Sequence, residues 1–206
     1  MFYAKGDKLK KVSKGKFGYT KSHRTWQILK MSLYIALALS VFLLGLIVTK
    51  TTKNVLSVVA IVGALPISKE LVGVIMSYKR KPMDQKIYDQ ISKKAEGLEQ
   101  IYELLFTTYE VSYPVDAVVI EGRDVICYTT ENSCDAVGLQ KHLQKMLNAN
   151  DYKENVKVYK DLNKFLDRVG DLSRREKEDI PYQQNSVYPD LNRDQLIKHT
   201  LLALSV

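Results

Sequence analysis

Histidine and cysteine are scarce in this sequence, with three His and two Cys among 206 residues. His23, His142 and His199 are far apart along the chain, and Cys127 and Cys134 stand seven positions apart, a spacing that fits no zinc or dithiol motif. Two cysteines cannot staple a chain of this length, which excludes a disulfide-framed secreted domain. Neither a phosphate-binding glycine loop nor a nucleophile motif occurs. The sequence therefore assigns no catalytic residue, no metal ligands and no cofactor. Cys134 precedes a predicted helix, where a thiol pKa can fall, but an ordinary buried cysteine is the expectation. His142, in the middle of that helix, reads as a surface residue.

Acidic residues are missing from one end only. Residues 1–83 hold 15 Lys+Arg against 2 Asp+Glu, while residues 84–206 hold 16 against 21, so the overall charge of +8 hides halves of +13 and −5. This excludes a uniformly basic nucleic-acid-binding chain, and the abundant Leu, Ile and Val exclude a mostly disordered one.

Charge is absent altogether from residues 31–49, MSLYIALALSVFLLGLIVT. Nineteen residues at about 1.5 Å each approach the roughly 30 Å of a hydrocarbon core, which predicts a transmembrane helix. The leader of thirty residues and the polar exit Lys50-Thr51-Thr52-Lys53 argue against a cleaved signal peptide. A second segment, 54–78, contains Pro66 and the pair Lys69-Glu70. Its length favours one kinked spanning helix over a buried helix that ends near Pro66 and continues along the interface. The short turn makes residues 31–78 an antiparallel hairpin. Nine Lys/Arg precede it, Lys79-Arg80-Lys81 follow it, and the turn holds two. Both termini are accordingly expected in the cytoplasm.

Small residues recur every fourth position at Ala60, Ala64 and Ser68 on the second helix and at Ala36 and Ser40 on the first. Such stripes let helices approach closely in lipid, which predicts that they pack the hairpin, with a homo-oligomer seam as the sharper alternative. Lys69 and Glu70 read as intramembrane polar residues. A charge at mid-membrane costs at least about 2.5–3.5 kcal/mol and calls for a partner or a wet cavity. The blander reading makes them the cytoplasmic end of a tilted helix.

Residues 1–30 form a basic leader that interleaves Lys5, Lys8, Lys10, Lys11, Lys14 and Lys16 with Phe2, Tyr3, Phe17, Tyr19 and Trp26. Together with Lys79, Arg80 and Lys81 these lysines are expected to meet anionic lipid headgroups, each at about 1 kcal/mol near the surface. No motif raises nucleic acid above lipid as the partner.

Beyond Pro82 a small cytoplasmic domain is expected over residues 83–170. The spacing of Ile87, Ile91, Leu98, Ile101 and Leu105 predicts one long helix over 83–106. Residues 115–120 and 124–130 read as a hairpin around Glu121-Gly122-Arg123, with 107–113 as a third strand. A helix over 135–149, a strand over 156–159 and a helix over 162–169 follow. Residues 171–189 read as a linker, and 190–206 as a final helix with a capping box at Asn192 and Gln195, docked on its own domain. The expected fold is thus a membrane-anchored α+β protein, a two-helix transmembrane hairpin followed by a small α-β-β-β-α-β-α domain.

That order resembles the core of the restriction-endonuclease-like fold, and Val115-Asp116-Ala117-Val118-Val119-Ile120 resembles the strand on which that superfamily carries its first metal-binding aspartate. The resemblance implies a magnesium site completed on the next strand by Glu or Gln, any residue, then Lys. Here Val125-Ile126-Cys127-Tyr128-Thr129-Thr130 holds neither acid nor lysine, and Glu131-Asn132-Ser133 adds no lysine. One aspartate cannot hold and activate a hydrated metal in that way. The leading expectation is therefore a non-enzymatic membrane-anchored protein that presents a cytoplasmic interaction domain, to a protein partner or as a homo-oligomer. The alternatives are a membrane-tethered endonuclease-like domain with a degenerate active site, or an accessory subunit of a transporter or channel.

Overall fold

A computed structural model describes residues 11–51, 55–79, 81–175, 180, 182 and 188–205, the side chains of Met76 and Lys79 excepted. The chain is α+β, with two long apolar helices followed by a domain built on a four-stranded mixed sheet. It divides into two compact units, one around Gly18–Pro82 and one made of Ser13–Phe17 together with Met83–Val206.

In the first unit, α1 (Tyr19–Thr49) and α2 (Val55–Lys79) pack against each other. Helix α1 starts twelve residues before the expected position 31. Residues 19–30 contain neither Gly nor Pro, so a helix nucleated in the apolar run extends through this polar flank until Gly18, which adopts φ 83. Helix α2 runs unbroken through Pro66, as one helix rather than two segments. Two contacts set the register of the pair. Arg24 Nη2 donates to the Ser77 carbonyl at 2.9 Å with its guanidinium 4.3 Å over the Tyr78 ring, and a Cβ on Gly73 would lie 3.0 Å from Gln27 Nε2. Carried along the antiparallel pair at an equal rise per residue, this register places Glu70 level with Lys30 and Lys69 level with Met31. The contact face holds the buried Gly45, Ser57 and Val74, and the faces turned away carry Leu33, Leu37, Ile47, Ile61 and Leu65.

The second unit begins with α3 (Gln85–Lys94), capped by the Asp84 carboxylate on the Lys86 N–H. The single helix expected over 83–106 is corrected here. Helix α3 stops at Lys94, Gly97 turns the chain at φ 84, and Glu99–Thr107 is strand β1. The apolar spacing fitted a helix, but pairing with β2 (Ser112–Glu121) settles the conformation, a tertiary effect that spacing does not carry. Residues 107–113 are accordingly no separate strand. Thr108 N–H donates to the Val111 carbonyl at 2.7 Å in the turn that joins β1 to β2.

Strand β3 (Asp124–Tyr128) returns through Gly122, at φ 58, and Arg123, so Glu121 faces Asp124. Helix α4 (Ala136–Ala149) then crosses to β4 (Asn155–Tyr159), which pairs parallel to β3, and α5 (Leu162–Arg174) follows. The strand order is β1-β2-β3-β4. On one face α3 and α5 bury Ile91, Phe165, Val169 and Leu172 against Ala117, Val119 and Ile126. On the other, α4 and α6 (Arg193–Leu204) bury Leu139, Leu143, Ile197 and Leu201 against Val118, Ile120 and Val125. Asn192 and Gln195 form a capping box at the start of α6.

The usual alternation of faces is broken at one level of the sheet. Leu104 and Phe106 share a face with Ile101, and Tyr113 and Val115 share it with Val118 and Ile120. The parity therefore switches in both strands between Ile101 and Leu104 and between Val115 and Val118. The pairing passes from Tyr102–Ala117 to Leu104–Val115 and leaves out Glu103 and Asp116, with Glu103 at φ 54. A matched irregularity in two adjacent strands shifts both side-chain patterns while keeping their register.

Candidate functional site

Asp116 is the residue on which the endonuclease resemblance turns, and it lies at this irregular step. Its Oδ2 accepts from the Thr130 N–H at 2.6 Å and from the Thr130 hydroxyl at 2.8 Å. Burial pushes its carboxyl pKa up; the two Thr130 bonds act against the shift, while Glu103 and Glu131 reinforce it. Glu103, only 4% exposed, accepts from the Met83 N–H at 3.2 Å. A magnesium site calls for several carboxylate oxygens converging on one point with room for water. Here the two acids are engaged by the backbone donors of Thr130 and Met83, and no group of three His, Cys, Asp or Glu among the described residues is placed to hold a metal ion. The residues present do not fit the metal that the resemblance implies.

Two buried carboxylates tie helices to the sheet through ion pairs. Asp124, at the start of β3, receives Arg168 and Arg175, each at 3.0 Å. Arg193, the first residue of α6, donates to the Gly122 carbonyl and to Glu154 Oε1. Glu154 is 2% exposed, its Oε2 makes no hydrogen bond among the described residues, and burial pushes its pKa up against the pull of Arg193. Both arrangements fix helix positions.

The third polar arrangement involves the basic leader. Ser13–Phe17 belongs to the domain and not to the hairpin. The Gly15 carbonyl accepts from the N–H of Tyr102 on β1 at 2.8 Å, and Lys14 Nζ donates to the Ser205 carbonyl, just past α6, at 2.5 Å. Phe17 stacks on Tyr88 of α3 with centroids 4.2 Å apart, and Tyr88 meets Tyr102 edge-on at 4.9 Å. Gly15 is buried at φ 82, and a Cβ there would lie 2.5 Å from Leu202 Cδ2 and 2.8 Å from Ile101 Cγ2. Only glycine fits. Each of these contacts contributes on the order of 1–2 kcal/mol. They secure the outer edge of β1, where unpaired backbone groups otherwise invite association. Sequence reading missed this seat, and the available signal was the pair of glycines in Gly15-Lys16-Phe17-Gly18 inside an otherwise basic stretch.

The other residues singled out from the sequence fall as follows. Lys11, Lys16 and Lys81 are exposed. Lys5, Lys8, Lys10 and Arg80 lie outside the described residues, as does the side chain of Lys79. Of the small-residue stripes, Ala60 is half-buried, whereas Ala36, Ser40, Ala64 and Ser68 are exposed and point away from the partner helix. Gly45 and Ser57 hold the close approach instead. Lys69 is exposed and Glu70 half-buried, and neither makes a hydrogen bond or ion pair among the described residues.

Cys127 is fully buried, which raises its thiol pKa to about 12, and burial also raises that of Cys134, opposite to the effect of a helix N-terminus. His142 is half-buried and stacks on Tyr113 at 6.1 Å, and burial lowers its pKa. No protein-family model, no curated protein and no solved structure matches this chain.

Proposed function

We propose that this chain is a non-enzymatic membrane protein in which the α1–α2 hairpin crosses the bilayer and the α+β domain is presented to a partner in the cytoplasm. One observation carries the reading. Charge begins at Lys30 on α1 and at Lys69-Glu70 on α2, at the same level of the pair, and the outward side chains between that level and the turn are uncharged on both helices and mostly apolar. Nineteen residues from 31 to 49 at about 1.5 Å each match the hydrocarbon core, so the shared level is the cytoplasmic boundary. Lys69 and Glu70 then reach headgroups, and the transport-subunit reading loses its support.

The lysine excess of the leader and of Lys79-Arg80-Lys81 sets the orientation, with both termini in the cytoplasm. Lys5, Lys8, Lys10, Lys11 and Lys16 are the leader residues that meet anionic headgroups, while Lys14 is engaged by Ser205. Ser40 and Ser68 donate their hydroxyls to the Leu37 and Ala64 carbonyls, which makes the outward stripes compatible with lipid or with a second copy. The engagement of Asp116 and Glu103 by backbone donors disfavours the degenerate-nuclease alternative.

Membranes carrying the full chain, washed at alkaline pH and then extracted with detergent, test the anchor, and reporters fused before Met1 and after Val206 test the orientation. Release by the alkaline wash removes the anchor. A C-terminal reporter active only outside the cytoplasm reverses the topology.

A further inference from the structure

We propose that the segment Ser13–Phe17 is a latch with two exclusive seats, the β1 edge of the domain and an anionic membrane surface, so that lipid charge controls whether the edge of β1 is covered. The proposal rests on the reading of the hairpin as a membrane anchor. The first seat is the one described above: Gly15 on the Tyr102 N–H, Lys14 on the Ser205 carbonyl, and Phe17 on Tyr88. It contains one backbone hydrogen bond, one ammonium contact and one ring stack.

The second seat uses the same chemical groups. An ammonium that donates to Ser205 cannot also lie on a phosphate, and a ring stacked on Tyr88 cannot settle among headgroups. Lys16 is exposed within the latch and Lys11 just before it, so both add to the attraction of a charged surface without a side-chain contact in the first seat. The attraction of each lysine to such a surface is of the same order as each contact in the seat. Two seats of similar strength make the segment switchable rather than permanently docked.

The reach of the chain permits the exchange. If the boundary lies at Lys30, the first twelve residues of α1 rise about 18 Å from it. Lys14 stands five residues before Tyr19, and an extended chain of that length spans about 17 Å. Headgroups extend roughly 5–7 Å beyond the hydrocarbon, so an undocked Lys14 folded back along α1 arrives among them. Gly18, at φ 83 with open space where a Cβ would stand, supplies a joint at the base of the latch.

Hydrogen exchange of the Tyr102 amide reads the first seat directly, because that N–H donates to Gly15. The full chain is placed in nanodiscs of phosphatidylcholine, and in discs where part of this lipid is replaced by phosphatidylserine. Gly15→Val, which the close Leu202 and Ile101 exclude from the seat, gives the exchange rate of the open edge, and Phe17→Ala gives a second open reference in case that variant folds poorly.

The parent is expected to be protected in neutral discs and to exchange at least about tenfold faster in anionic discs, approaching the open references, with protection restored by high salt. Lys16→Glu should reduce the lipid effect and leave protection in neutral discs unchanged. Equal protection of the parent in both discs overturns the switch, and exchange as fast as the open references in neutral discs overturns the first seat. Failure of the chain to enter discs at all overturns the membrane reading, and the latch with it, and is scored separately by co-elution with lipid.

Discussion

Arg193 and Glu154 are the only charged contact between the start of α6 and the turn before β4 among the described residues, and the carboxylate of the pair is almost completely enclosed. The guanidinium also holds the Gly122 carbonyl, so one side chain joins α6, the β2–β3 turn and the entry to β4. Removing Arg193 leaves a buried carboxylate without its bonded cation and with only the weaker pull of Arg123 on its charge. Arg193→Met should therefore destabilise the domain by about 3–5 kcal/mol, and adding Glu154→Gln to it should recover part of the loss. Urea unfolding of the parent, both single variants and the double variant measures the coupling. Additive single and double effects would show that the two side chains act independently.

The pH response of the same pair has a defined sign. Burial raises the Glu154 pKa above its ordinary value of 4.5, so the folded state binds the proton more tightly than the unfolded chain. The stabilisation this gives is complete below that ordinary value and is lost as pH rises through the higher folded value. Asp116, also raised by burial, acts in the same direction from 3.8 upward. Stability of the parent relative to Glu154→Gln should fall as pH is raised from about 4.5 toward neutrality. A difference that grows with pH instead would mean that Arg193 dominates the carboxylate.

The leader segment supplies a third prediction. Deleting residues 1–12 leaves Ser13–Phe17 in the chain, whereas deleting 1–17 takes away Gly15, Lys14 and Phe17 and with them the whole seat on β1, Ser205 and Tyr88. In detergent, the first truncation should unfold with the parent's midpoint. The second should be less stable by roughly 3–6 kcal/mol, since each of these three interactions is worth about 1–2 kcal/mol. Equal stability of both truncations would reduce the seat to a passive contact. Residues 83–206 alone are for the same reason an incomplete domain, whereas the sequence reading starts the domain at residue 83.

What could be read in advance follows from how local each signal is. The capping box at Asn192 and Gln195, the Glu121-Gly122-Arg123 turn and the apolar runs of the two long helices are each specified within a few neighbouring residues. Strand β1 was not legible, because Leu98, Ile101 and Leu105 satisfy helical spacing and only the cross-strand partners Val118 and Pro114 decide otherwise. The step at Glu103 and Asp116 and the seat of Gly15 depend on residues far apart in sequence, which periodicity cannot register. Ala64 and Ser68 showed a correct helical interval, but an interval alone does not reveal which side of a helix meets its neighbour.

Lys69 and Glu70 give the last prediction. If they were buried at mid-membrane, replacing one alone would strand the other charge in a poor solvent, and single variants would fare worse than a double replacement by Leu. The register set by Arg24 on Ser77 and by Gln27 beside Gly73 instead puts them level with Lys30, where the uncharged stretch of α1 begins. With the hairpin anchored as proposed, side chains at that depth reach headgroups or water, and each contributes no more than an exposed charge does, about 0–1 kcal/mol. Lys69→Leu, Glu70→Leu and the double variant should therefore match the parent in membrane yield and in oligomer size in detergent. A marked loss in either single variant that the double variant restores would place the pair inside the hydrocarbon, and the boundary proposed at Lys30 would have to move toward Arg24.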